Sequence, residues 1–289
     1  MESLLLDWSL RALLMAAGTA AALGILRVRT AAARHLAWTG VLAAMLLLPA
    51  LTAWGLKLAV PMLPPAREQL APETSTLDGA PIRPASQYVA SPEAIARRAM
   101  PEAGPPELKQ NWAWNWKWIV LVLYVTGFGV MAIRLIVGTI QARAMVRQTT
   151  SLDGLRVSAQ CASPVTVGWL RPVVILPEDW RSWPEAKLDA VLAHEREHVR
   201  RRDPLVQWLA LLNRCIFWFH PLAWWLERKL SDLAEEACDA TVLRHGHTAQ
   251  DYSQYLIDLA RSVEGAGARV RVWGSPIDGS RLSGRIRRI

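Results

Sequence analysis

The chain has 289 residues, a hydrophobic fraction of 52% and a formal net charge of +8. Such apolarity points to membrane spans, and in a membrane protein excess Arg and Lys mark the cytoplasmic side rather than a nucleic-acid surface. Three cysteines, Cys161, Cys215 and Cys238, form no CxxC pair and are odd in number, which excludes a disulfide framework and suits a reducing compartment.

Residues 4–26 form the first candidate span, with 12–26 free of charge. Asp7 and Arg11 fall inside it four residues apart, where they can pair, or where Arg11 can snorkel to the interface. An acidic start, no basic leader and a second span at once favour a retained helix over a cleaved signal peptide. Arg27, Arg29, Arg34 and His35 make a short basic connection, after which 36–56 runs uncharged for 21 residues, the length of a bilayer crossing. The positive-inside rule makes that turn cytoplasmic and puts the N-terminus outside.

Ten prolines between Pro61 and Pro106 break any regular element, so the stretch up to residue 115 reads as an extracytoplasmic loop. Whether it is a linker or contacts an external partner stays open. Trp112, Trp114, Trp116 and Trp118 mark a bilayer interface, and 119–140 is a third span interrupted only by Arg134. Arg143 and Arg147 follow it, which places everything downstream inside the cell.

From Ser151 the pattern is that of a small folded domain. Strands are expected at 155–157 and 173–176, the second flanked by Pro172 and Pro177 and so read as an edge strand. Such an edge either holds an extended substrate by strand addition or is purely structural. Ser182-Trp-Pro-Glu185 fits a capping box opening a helix that sends Leu188, Val191, Leu192 and Val199 to the core and ends near Asp203-Pro204. The charges Arg196, Glu197, Arg200, Arg201 and Arg202 read as a solvated or membrane-facing surface.

That helix contains His194-Glu195-Arg196-Glu197-His198, an HExxH pattern. Residues i and i+4 lie on one helix face, so His194 and His198 can offer two imidazole nitrogens to one zinc ion, with Glu195 beside them to take a proton from water that the metal acidifies. Further on, Glu235 and Asp239 form an ExxxD pair with the same i, i+4 geometry. Glu235 is the candidate third ligand, and Asp239 the candidate hydrogen-bond acceptor that fixes the tautomer of a ligand histidine. Glu236 points about 100° away and is the poorer ligand.

Residues 205–219 are apolar but slightly short for a span, suggesting a buried or partly embedded helix that turns at His220-Pro221, with Trp224 and Trp225 near headgroup level. His220 either contacts the substrate carbonyl or caps the next helix. That helix carries Glu235 and Asp239 and stops at Gly246, a suitable C′ residue. Thr248 and Asp251 open a further helix to about 263, and His245 and His247 read as exposed loop residues. The remainder, with glycines and six arginines, reads as a basic tail near an anionic membrane surface.

The block from Ser163-Pro-Val-Thr-Val-Gly-Trp to Val-Val-Ile-Leu-Pro177, the HEREH run, Phe219-His-Pro-Leu-Ala-Trp-Trp225 and the Glu235–Asp239 spacing together resemble the BlaR/MecR-type integral membrane zinc metallopeptidases, which transduce β-lactam signals. A more distant likeness, sharing HExxH and ExxxD, is to prenyl-protein and heat-shock membrane proteases. The resemblance covers roughly 4–243. Signalling relatives continue into a fourth span and often an external sensor, and neither follows here; the chain is either truncated or responds through another subunit, so direct β-lactam sensing is not supported.

The resulting expectation is a mainly α membrane protein with three N-terminal transmembrane helices and a cytoplasmic α+β, gluzincin-like zinc peptidase domain with a small edge sheet. The divisions are two spans at 1–60, the extracytoplasmic loop at 61–115, the third span at 116–142, the peptidase domain at 143–264 and the tail at 265–289. The expected activity is that of a zinc endopeptidase of the cell (inner) membrane, facing the cytoplasm. The resemblance implies that it cleaves a transcriptional repressor of the winged-helix type, itself, or both. The rivals are a quality-control membrane protease and a non-catalytic signalling scaffold. The expected partners are the lipid bilayer and a protein substrate, with no direct nucleic-acid binding.

Overall fold

The computed structural model describes residues 2–53, 116–265, 285–287 and 289. The proline-rich loop and most of the tail lie outside them. Among the described residues three helices are long and apolar enough to cross a membrane: α1 (Glu2–Ile25), α2 (Ala31–Ala53) and α3 (Trp116–Arg147). Leu10 and Leu13 of α1, and Ile133 and Ile136 of α3, are exposed, as expected of helices whose outer faces meet lipid tails. The two charges inside α1 do pair, Arg11 Nε donating to Asp7 Oδ1 at 2.9 Å.

A four-stranded sheet follows α3, in the order β1 (Thr150–Leu152), β2 (Leu155–Val157), β4 (Val173–Leu176), β3 (Val165–Val167). The β1–β2 hairpin turns on Asp153 and Gly154, both at positive φ, the two-residue turn whose twist matches antiparallel strands. β2 pairs parallel with β4, and β3 pairs antiparallel with β4. Both expected strands are therefore present, but β4 is interior, not an edge. Pro172 and Pro177 stand just outside its four residues, so neither removes a ladder donor. The free edge next to the helical layer belongs to β3, whose three residues are too few to carry a periodic signal.

A 3-10 turn (Glu178–Ser182) leads to α4 (Glu185–Arg201). The expected capping box does not form. Ser182 Oγ donates to Asp179 O at 2.7 Å, closing the 3-10 turn, and Pro184 caps α4 without a side-chain bond. α4 breaks at Arg202, which adopts the left-handed conformation, and α5 (Asp203–Ile216) starts at once with Pro204 in its first turn. α6 (Pro221–Arg244) ends before Gly246, whose φ of +99° fits the expected C′ role. Thr248 opens α7 (Ala249–Gly265) as expected, accepting from the Asp251 N–H at 3.1 Å.

One apolar core ties the spans to these helices. Leu42 and Met45 of α2 are buried with Leu226, Leu230 and Leu233 of α6, and Trp38 meets Trp225 edge-on with centroids 4.8 Å apart. On α3, Tyr124 Oη donates to Ile216 O and Thr139 Oγ1 accepts from Trp208 Nε1. Gly127 lies against the Trp218 indole, in space that a Cβ would fill. Gly127→Ile should therefore push Trp218 aside and lower stability by about 1–3 kcal/mol, read as a lower Tm in detergent, with Gly129→Ile, which faces open space, as the neutral control.

Candidate metal centre

Two helices bring the candidate ligands together. On α4, one turn separates His194 from His198; on α6, Glu235 faces them both. His194 Nε2 and His198 Nε2 are 3.2 Å apart, His194 Nε2 is 3.6 Å from Glu235 Oε2, and His198 Nε2 is 3.5 Å from Glu235 Oε1. A tetrahedral ion with bonds of about 2.0–2.1 Å needs donors separated by roughly 3.3 Å, so this triangle has the size zinc requires.

The hydrogen bonds around the triangle decide which nitrogens are free. His198 Nδ1 donates to Asp203 Oδ2 at 2.9 Å. His194 Nδ1 donates to Tyr252 Oη at 3.0 Å, and the tyrosine hydroxyl donates to Asp239 Oδ1 at 2.8 Å. With both Nδ1 atoms carrying hydrogen, both Nε2 lone pairs point into the same gap. Two imidazole nitrogens 3.2 Å apart share a cation, either a proton or a metal, and Glu235 answers its charge. Two imidazoles and a carboxylate are a donor set that fits zinc.

A second cluster, His198, Asp203 and Cys238, also falls within ligating distance. It shares His198 through the nitrogen that Asp203 already occupies. Burial pushes the Cys238 thiol up to about 12, so it stays protonated and is a poor ligand. This cluster orients His198; it is not a rival metal site.

The sequence patterns brought four of the surrounding groups into view only in part, or not at all. Asp239 does sit behind His194, as expected, 3.3 Å from Nδ1, but Tyr252 of α7 stands between them. Asp203 was read only as the end of a helix. Thr166 of β3 donates from Oγ1 to Glu195 Oε2 at 2.6 Å and so fixes the carboxylate beside the ligands. Arg285, expected in a membrane-surface tail, is buried in the centre: its Nη1 is 2.9 Å from Glu235 Oε2, and its Nε and Nη2 grip Asp239 at 3.0 and 2.6 Å.

Other expectations resolve differently. His220 caps α6, its Nδ1 accepting from the Leu222 N–H at 3.1 Å. It lies fifteen residues before Glu235 on a helix rising 1.5 Å per residue, hence about 22 Å away. Glu236 is not part of the donor triangle. His247 pairs with Asp189 of α4 and belongs to neither cluster of candidate ligands. Of the charges expected on a solvated face, Arg196 and Arg200 are exposed, but Glu197 is buried beneath a two-pronged bond from Arg200, and Arg201 turns inward onto Asp203.

A cavity of about 780 Å³ opens over the triangle. Thr166 and Trp169 line one wall, Leu135 and Thr139 of α3 another, with Leu256 of α7 and Glu195 at the base.

The electrostatics are those of buried carboxylates answered by cations. Burial raises Glu235, but the Arg285 charge and the two histidines outweigh it and hold the group well below the carboxylate range. Burial likewise raises Asp239, and hydrogen bonding from His194 with the Arg285 charge brings it to about 2. Burial alone depresses both histidines, yet hydrogen bonds accepted by Asp239 and Glu235 leave His194 raised, and hydrogen bonding to Asp203, Cys238 and Glu235 raises His198 further. Protons therefore compete with a metal for these nitrogens above the usual histidine range. Zinc affinity, measured by chelator competition between pH 6 and 8, should still be climbing as pH passes about 6.5, the point where an ordinary histidine site levels off.

Residues 9–289 match the model of the BlaR1 peptidase M56 family. The regulatory protein BlaR1 of Bacillus licheniformis is 37% identical over 82 residues, 28% of this chain and 14% of that protein. The methicillin resistance protein mecR1 of Staphylococcus aureus is 25% identical over 95 residues, 31% of this chain and 16% of that protein; the protein of the same name from Staphylococcus epidermidis matches to the same extent. The matched stretches thus represent a small part of those relatives' lengths, whereas the family model runs from α1 to the last residue. The chain belongs to the BlaR1 peptidase M56 family.

Proposed function

We propose that this protein is a zinc endopeptidase of the cell (inner) membrane, with its active site on the cytoplasmic side and 143–264 as the peptidase domain. The observation that carries the reading is the triangle of His194, His198 and Glu235 at tetrahedral spacing, with Glu195 held beside it by Thr166. The basic turn at Arg27, Arg29 and Arg34, and Arg143 and Arg147 after α3, support the cytoplasmic assignment.

Zinc, when bound by those three residues, polarises a peptide carbonyl and makes water acidic enough to be deprotonated near neutrality. Glu195 accepts that proton on its carboxylate and returns it to the amine that leaves when the peptide bond breaks. Thr166 restrains the carboxylate through the whole cycle. Asp203 and Asp239 keep the two imidazoles in the tautomer that leaves Nε2 free. An extended substrate adds to the free edge of β3, which runs along the cavity beside Glu195. The names of the relatives, a regulatory protein and a resistance protein, support a signalling role in which the substrate is a transcriptional repressor, the protease itself, or both.

Glu195→Gln should keep about one zinc per chain while cleavage falls 10²–10⁴-fold; undiminished cleavage defeats the assignment. Thr166→Val, which keeps the strand and removes the hydroxyl, should lower kcat roughly tenfold with zinc content unchanged, since one hydrogen bond to a charged group contributes about 1.5–3 kcal/mol. Peptide profiling of wild-type against Glu195→Gln cells identifies the substrate. Loss of one repressor fragment supports signalling; loss of many membrane-protein fragments supports quality control instead.

A further inference from the structure

Asp203 orients a ligand histidine, and something must orient Asp203. Arg201 approaches it from the same stretch of chain, Nε lying 3.3 and 3.2 Å from the two oxygens. The Cys238 thiol reaches Oδ2 from α6 at 3.8 Å, and a further neighbour comes from a distant element. His35, in the part of α2 that forms a membrane span, is buried, and its Nε2 stands 3.8 Å from Asp203 Oδ1. The Oδ2 of the same carboxylate is the atom that accepts from His198 Nδ1. Span, carboxylate and ligand histidine are thus in line. His35 also lines the cavity over the triangle.

The same span braces the other side of the ligand set. Trp38, one turn beyond His35, lies edge-on to Trp225 of α6, and Leu42 and Met45 continue the contact toward Leu226 and Leu230 on the helix that carries Glu235. Asn213 of α5 donates to Met45 Sδ at 3.9 Å. One transmembrane helix therefore touches the supports of His198 and of Glu235 together.

We propose that His35 is a positioning residue through which α2 sets the geometry of the zinc site: its imidazole faces Asp203 Oδ1 at 3.8 Å, in electrostatic range though longer than a hydrogen bond, Asp203 accepts from His198, and the placement of the span fixes how well the metal is gripped. This rests on the zinc peptidase reading above. It makes the span a regulator of the metal centre, because a shift of α2 moves His35 relative to Asp203 without touching any ligand directly. Loss of a carboxylate that orients a ligating histidine typically changes metal affinity or activity 10–100-fold, and His35 acts through such a carboxylate.

The test compares full-length protein with His35→Phe or His35→Leu, which keep bulk but lose the N–H, and with His35→Gln, which retains a donor. Zinc affinity is read by chelator competition, the ligand field by the visible spectrum after Co²⁺ substitution, and turnover as separate kcat and KM. The Phe and Leu variants should bind zinc 10–100-fold more weakly, show an altered Co²⁺ spectrum and lose kcat at unchanged KM. His35→Gln should stay within about threefold of wild type. A merely structural role lowers the Tm of the metal-free protein and leaves the Co²⁺ spectrum alone. Zinc affinity within twofold of wild type in the Phe and Leu variants overturns the proposal, as does His35→Gln behaving like them. Wild-type protein that takes up neither zinc nor Co²⁺ overturns the peptidase reading itself, and the proposal with it.

Discussion

Two imidazole Nε2 atoms held 3.2 Å apart are the constraint on which the rest of this structure depends. Without a cation between them, proton or metal, the arrangement is unfavourable. It persists because each Nδ1 is fixed from behind, one by Asp203 and the other by Tyr252 and Asp239. Rotating either ring to relieve the contact leaves a buried carboxylate or phenol without its partner, which costs about 1–3 kcal/mol or more. The protein thus maintains a gap shaped for a cation by making every alternative ring orientation worse.

The architecture serves that gap at each step. Arg202 takes a left-handed conformation between α4 and α5, so the chain doubles back and sets Asp203 beneath His198, one helical turn upstream. A continuous helix would carry residue 203 away along the axis. α6 runs as one helix from Pro221 to Arg244, which keeps Glu235 and Asp239 on the same face, one turn apart. α7 supplies Tyr252, buried against Ala190 and Val242 in a small core that also holds Ile289, and Leu256 to the cavity. The sheet contributes a single anchoring point, Thr166, yet that point joins its free edge to Glu195.

What the sequence reveals and what it hides divide along physical lines. His194, His198, Glu235 and Asp239 are readable because i, i+4 spacing on a helix is itself a statement about space. The spans are readable because bilayer thickness sets length and the lipid sets composition. Tyr252, Thr166 and Arg285 belong to other elements, and only tertiary packing brings them in, so no spacing announces them. Asp203 lies five residues after His198, the wrong offset for a shared helix face; it becomes a partner only through the Arg202 break. Ser182 has the capping pattern, but the adjacent 3-10 turn claims its hydroxyl first. β4 has edge-like prolines that in fact sit outside its ladder. Local chemistry is legible in each of these cases; the competition between local and distant partners is not.

Charge explains why the distant partners are needed. Glu195, Asp203, Glu235 and Asp239 crowd around two imidazoles in a buried site, and carboxylates there are costly unless cations answer them. Arg201 answers Asp203, and Arg285 answers Glu235 and Asp239. Four formal negative charges against two guanidinium groups leave two unmatched, the charge that one divalent ion cancels. Arg285 does not substitute for that ion, since it bonds the two carboxylates and donates to neither Nε2. Its position instead fixes the ligand: one oxygen of Glu235 is shared between the guanidinium and His194, the other faces His198, and the carboxylate is held in place before any metal arrives.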